Sequence, residues 1–162
     1  MQNWPVVLKY VFSLAVTAFF ATPAMAELTV ISAKAGLVDY NQPGLRSGDF
    51  GIRPVKKIPS SEKYFGWVIE VKCPSDQVPW VETTILPAKY ASLRPGKSED
   101  DATVTVAKDL KSFVTRRAAV CRSGVARLED LYAREEGMPA GEWRIEVRHD
   151  KQLLAEFRFV VE

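Results

Sequence analysis

Apolar and polar residues alternate along most of this chain, a rhythm that belongs to strands with one buried face. In 64–73, Trp67, Ile69, Val71 and Cys73 fall on one side, while Glu70 and Lys72 fall on the other. Pro74 then ends the run, because it has no N–H to give to a ladder. In 142–149, Trp143, Ile145 and Val147 alternate with Arg144, Glu146 and Arg148. In 153–161, Leu153, Ala155, Phe157, Phe159 and Val161 alternate with Glu156 and Arg158. Only Asp150-Lys151-Gln152 separates these last two runs, which predicts an antiparallel hairpin. Each Trp, Ile, Val or Phe it buries is worth roughly 1.5–3 kcal/mol.

Further strands are expected at 28–34, 50–56, 78–86, 102–107 and 112–121. Asn41-Gln42-Pro43-Gly44, Pro59-Ser60-Ser61 and Pro95-Gly96-Lys97-Ser98 punctuate them. Ser98-Glu99-Asp100-Asp101 reads as a polar loop tip. Val125, Leu128, Leu131 and Tyr132 have helical spacing, so a short helix near 125–134 competes with an irregular strand. Short strands with frequent turns predict a mainly β fold. The expected architecture is an antiparallel, immunoglobulin-like β-sandwich of about seven strands.

The first 26 residues read as a cleavable export signal. Lys9 is their one charge, Val11–Ala21 is apolar, and Ala24-Met25-Ala26 offers small residues at the cleavage positions. A membrane-spanning helix needs roughly 20 apolar residues, more than this run supplies. One domain over 27–162 is therefore expected, periplasmic or secreted, with no stable membrane insertion after cleavage. In an oxidising compartment, the isolated pair Cys73 and Cys121 is expected to form a disulfide. There is no C-x-x-C for a redox catalyst.

The 22 basic and 20 acidic residues nearly cancel, which argues against a nucleic-acid partner held by net charge. The single histidine, His149, sits beside the hairpin turn and reads as a turn residue rather than a catalytic base. One histidine and two widely spaced cysteines give no metal pattern, and no cofactor motif is present. Glu82, Glu99, Asp100, Asp101, Glu129 and Asp130 are the carboxylates from which a hydrolase would draw a pair, though their spacing sets no two across a cleft. Trp67 and Trp143 read as core. Trp80, after Pro79, and Tyr90, after the Pro87 break, are the candidate contact residues for a sugar or a protein.

The run Ile58-Pro59, Tyr64-Phe65-Gly66, Ile69 and Val71 resembles the I-P…F-G…Y-x-V segment of a bacterial family of exported domains, domain-of-unknown-function family 3859. Pro139-Ala140-Gly141-Glu142-Trp143 and Leu153 to Val160 are similar to its closing Pro-Gly-x-Trp strand and hairpin, and Ala35-Gly36-Leu37 to its opening. The likeness spans about residues 35–162. It implies an exported, β-rich domain and supplies no active site.

The expected function is a non-catalytic binding module of the bacterial envelope, its partner a protein or an envelope polymer. An envelope hydrolase acting through paired carboxylates is the alternative, and a self-associating structural protein a third reading. An enzyme would show two acids converging in a concave pocket; a binding module would show an exposed patch or a bare strand edge.

Overall fold

The computed structural model describes residues 27–41, 43, 49–97 and 102–162. The expected export signal and the 98–101 loop lie outside them. Eleven strands and no helix occur among the described residues. They are β1 (Thr29–Asp39), β2 (Gly51–Pro54), β3 (Lys57–Ile58), β4 (Tyr64–Lys72), β5 (Gln77–Ile85), β6 (Gly96–Lys97), β7 (Thr103–Val106), β8 (Ser112–Arg122), β9 (Val125–Ala133), β10 (Gly141–His149) and β11 (Gln152–Val161).

One layer runs β2-β1-β4-β9 and the other β6-β7-β8-β5-β10-β11-β3. The layers are continuous through the β8–β9 turn, where Cys121 pairs with Ala126 and Arg122 with Val125. Among the described residues every pairing is antiparallel except β3 with β11.

The strand count exceeds the expected seven because β3 and β6 are two residues long and β2 and β7 four. Segments that short show no period. The helix expected near 125–134 is strand β9. Its inner face is Ala126, Leu128, Asp130 and Tyr132, opposite Val71, Ile69, Trp67 and Phe65 of β4. The acid at an inner position broke the alternation and left Leu128 and Leu131 to imitate a helical stripe.

Aromatic rings from both layers fill the core. Phe65 lies against Tyr132, Trp143 and Phe159 at centroid distances of 5.2, 5.6 and 5.5 Å. Ile69, Leu128, Ile145, Val147 and Val161 close around them, all essentially without exposure. A smaller cluster of Phe50, Ile52 and Val68 covers part of the outer face of β4. The Cys73–Cys121 disulfide forms, joining the end of β4 to the end of β8 with Cα atoms 6.1 Å apart.

Arg134, just past β9, ties residue 162 and the 58–62 segment together. Its guanidinium donates to the carbonyls of Glu62 (3.1 Å), Glu162 (2.7 Å), Ile58 (3.3 Å) and Pro59 (3.1 Å). Met keeps the stem but offers no donor. Arg134→Met is therefore expected to cost about 2–3 kcal/mol in urea denaturation, since bonds to a charged donor are the strong ones. The loss is expected to begin where β3 meets β11, as faster hydrogen exchange at Val160 and Glu162, whose amides bond Lys56 and Ile58. Unchanged exchange there would contradict this role.

Candidate functional site

A polar seam crosses the otherwise apolar interior. On β5 the inner positions read Val78, Trp80, Glu82 and Thr84, and all four side chains are buried. Across β5 and β8, Glu82 pairs with Thr115, and Trp80 with Arg117. From the facing layer, β9 brings Asp130 and Tyr132. Within that layer Gly66 of β4 lets β9 lie close beside it, since a Cβ there would collide with the Asp130 carbonyl.

Glu82 is the centre of the seam and has no solvent exposure. Its Oε2 accepts from Trp67 Nε1 at 2.7 Å. Its Oε1 accepts from Thr84 Oγ1 at 2.7 Å and from the Tyr132 hydroxyl at 2.5 Å. Burial, and secondly the nearby charge of Asp130, push its pKa up to about 7; the three donors pull the other way and lose. Burial likewise raises Asp130, opposed by Arg117, whose Nη1 lies 3.5 Å from Asp130 Oδ1. Tyr132 is held well above the usual phenol range, by burial and then by the Glu82 charge, so it stays a donor at neutral pH. Arg117 Nε is buried without a partner.

Beyond the turn, β8 and β9 splay apart and leave a cleft of about 280 Å³. Arg117, Asp130, Tyr132 and Tyr90 are among its lining residues. A broader trough of about 600 Å³ lies on the outer face of the β1-β4-β9 layer. Its floor alternates charge, with Lys34 and Arg127 among Glu70 and Glu129. Ser32 donates to Glu70 at 2.9 Å, and Arg127 to Glu129 at 2.6 Å.

Trp80 and Tyr90, the expected contact residues, are both buried. Trp80 stands edge-on to Trp67 at 5.1 Å, because position 80 is an inner site of β5 rather than a strand start. Tyr90 is 6% exposed. Its hydroxyl donates to Glu135 at 2.7 Å, and burial with that bond pushes its pKa up to about 12. His149 is tied down too: its Nδ1–H donates to the Pro79 carbonyl at 2.7 Å. Of the candidate carboxylates, the structure brings Glu82 and Asp130 together. Glu129 points into the trough, and Glu99, Asp100 and Asp101 lie outside the described residues. The sequence reading does not single out Thr84, Arg117 or Tyr132 as site residues; their signal is a polar residue at an inner register position of an apolar strand.

The architecture has a solved counterpart. An immunoglobulin-like protein (PA1606) from Pseudomonas aeruginosa is similar over 86% of this chain and 99% of its own, at 20% identity and a TM-score of 0.56. At that identity the likeness shows the fold alone. The DNA glycosylase AlkC from Pseudomonas fluorescens aligns over 80% of this chain and 30% of its own at 11% identity, but its TM-score of 0.31 carries no argument. A search of curated proteins finds no match. Residues 33–162 match the PM0630 beta sandwich domain, which takes in every strand from β2 onward and most of β1, and so the chain belongs to the PM0630 beta sandwich domain family.

Proposed function

We propose that this chain is a non-catalytic interaction domain that acts outside the cytoplasm, in the bacterial envelope, on a protein or an envelope polymer. The observation that carries this reading is how Glu82 is held. The acid whose pKa suits general catalysis at neutral pH has both oxygens engaged by core donors and no exposure. A general acid or base must come within hydrogen-bond reach of a substrate, directly or through one water. Both Glu82 oxygens are spent on core donors instead. The disulfide and the export-like leader support a place outside the cytoplasm. The likeness to domain-of-unknown-function family 3859 belongs to the same reading, since that family is exported.

The trough supplies the contact surface. Its paired cations and acids offer donors and acceptors in register, which suits a polar peptide segment better than a polyanion. In-cell crosslinking with a tagged full-length chain is expected to capture a specific partner, and Lys34→Glu to abolish its capture. Recovery of no specific partner, or capture unaffected by the substitution, contradicts the proposal.

A second reading has its own observation. Glu82 and Asp130 both have raised pKa values, and Asp130 lines a cleft. Two acids this close resist ionising together, so one would keep its proton while the other gives it up, the division of roles a hydrolase working through two carboxylates needs. Release of soluble fragments from envelope polysaccharide by the purified protein, lost in Asp130→Asn, would favour it. No release from that substrate would dismiss it.

A further inference from the structure

Strand β11 has hydrogen-bonding groups on both of its sides. On one side β10 runs along it, from the Gly141–Val161 pair to the His149–Gln152 pair. On the other side, among the described residues, only Val160 and Val161 are paired, with Lys57 and Ile58 of β3. Residues 155–159, between the bulge at Leu154 and β3, therefore leave a bare edge among the described residues. Its parity is fixed by Val160 and Glu162, whose N–H groups reach that side to bond Lys56 and Ile58 at 2.9 and 3.0 Å. Backbone groups alternate sides along a strand, so Glu156 and Arg158 aim their N–H and C=O at the bare edge as well.

We propose that this edge takes a second copy of the chain, with β11 pairing antiparallel to β11 about a two-fold axis at Phe157. Parity demands that such an axis pass through a residue, because groups aimed at the edge must meet groups aimed at the edge. An axis at Glu156 sets Glu156 against itself, and one at Arg158 sets Arg158 against itself. An axis at Ala155 carries the pairing into the bulge at Leu154 and toward Gln152, whose side chain already bonds the Leu28 backbone at 2.8 and 2.7 Å. The axis at Phe157 alone brings Glu156 opposite Arg158 of the other copy, twice. Both are hydrogen-bonded pairs, and Phe157 meets Phe157 on the inner side.

The charges within one copy favour this arrangement. Strand β10 sets Arg144 directly opposite Arg158, and Glu146 directly opposite Glu156. Like charges facing each other across a ladder are destabilising. Bonds from Arg158 to Glu156 (2.7 Å) and Glu142 (3.8 Å), and from Arg144 to Glu146 (3.5 Å), relieve part of this. A second copy supplies the opposite charge that β10 lacks. Charges on an edge usually keep other strands away; these repel a strand of the wrong pattern and match their own. Only residues 155–159 can pair before β3 intervenes, so the interface is small and the dimer weak and concentration-dependent.

Sedimentation equilibrium of the purified protein at rising concentration is the test. A reversible monomer–dimer equilibrium is expected. Arg158→Glu or Glu156→Arg alone is expected to weaken it about tenfold or more, since two opposite-charge pairs become two like-charge pairs. The double swap restores complementarity and is expected to recover it. Each single swap removes a like-charge opposition with β10 as well as the exposed Arg158–Glu156 ion pair, so melting temperature should change little while association is lost, which separates this effect from misfolding. A wild-type protein that stays monomeric, or a dimer indifferent to the swaps, overturns the proposal.

Discussion

Glu82→Gln is expected to stabilise the protein at pH 8 by about 3 kcal/mol and to leave it nearly unchanged at pH 4.5. The sign follows from the direction of the shift. Glu82 has a folded pKa of about 7 against an ordinary 4.5. Between those values the folded state holds a proton that the unfolded state has released. Stability therefore falls as pH rises from 4.5 to 7 and is level, for this group, above that. Asp130, raised by the same burial, adds in the same sense. Glutamine resembles the protonated acid: its oxygen can accept from Trp67 while its amide donates toward Thr84 and Tyr132. It lacks the buried charge that the carboxylate carries at pH 8. Urea denaturation of both proteins at the two pH values reads the difference. Glu82→Leu is expected to be harmful at both, because it strands three buried donors.

Loss of the disulfide is the second large effect. Cys73→Ser or Cys121→Ser is expected to cost about 4 kcal/mol, or roughly 15 °C in melting temperature, from the entropy of a 48-residue loop released in the unfolded chain. Both substitutions are expected to cost the same, because each opens the same loop. The native state keeps its local frame without the bridge. Cys73 N–H bonds the Gly124 carbonyl at 3.0 Å, and Cys121 N–H the Asp76 carbonyl at 2.8 Å. A reductant should lower the wild type to the level of the variants and leave the variants alone. Two free thiols by mass analysis of the unreduced protein would contradict this account.

The strongest strands were legible over most of their length. Trp143, Ile145 and Val147 answer Phe159, Phe157 and Ala155 across the final hairpin, but a bulge past Val147 shifts the register, so Leu154 is buried and Leu153, expected on the inner face, is 45% exposed. Strand β9 was not legible, since Asp130 and Tyr132 occupy inner sites whose partners come from β4, 63 and 67 residues earlier. No local pattern encodes a contact at that separation. The disulfide was legible from the expected export signal and the count of two cysteines. The burial of Trp80 was hidden by Pro79, which looked like a boundary but sits within β5. The acid pair was half visible. Glu82 interrupts an apolar face on β5, a register fault that a buried network explains, but its partners become apparent only when β5, β8 and β9 are assembled.

The account rests on Glu82 being a core acid, closed in by its donors and holding its proton toward neutrality. Carbon-13 NMR titration of its side-chain carboxyl tests that most directly. A midpoint near 7, with the Tyr132 ring signals moving alongside it, is the result expected. A midpoint near 4.5, the value of a carboxyl in water, would mean that the seam is open to solvent and the account is wrong.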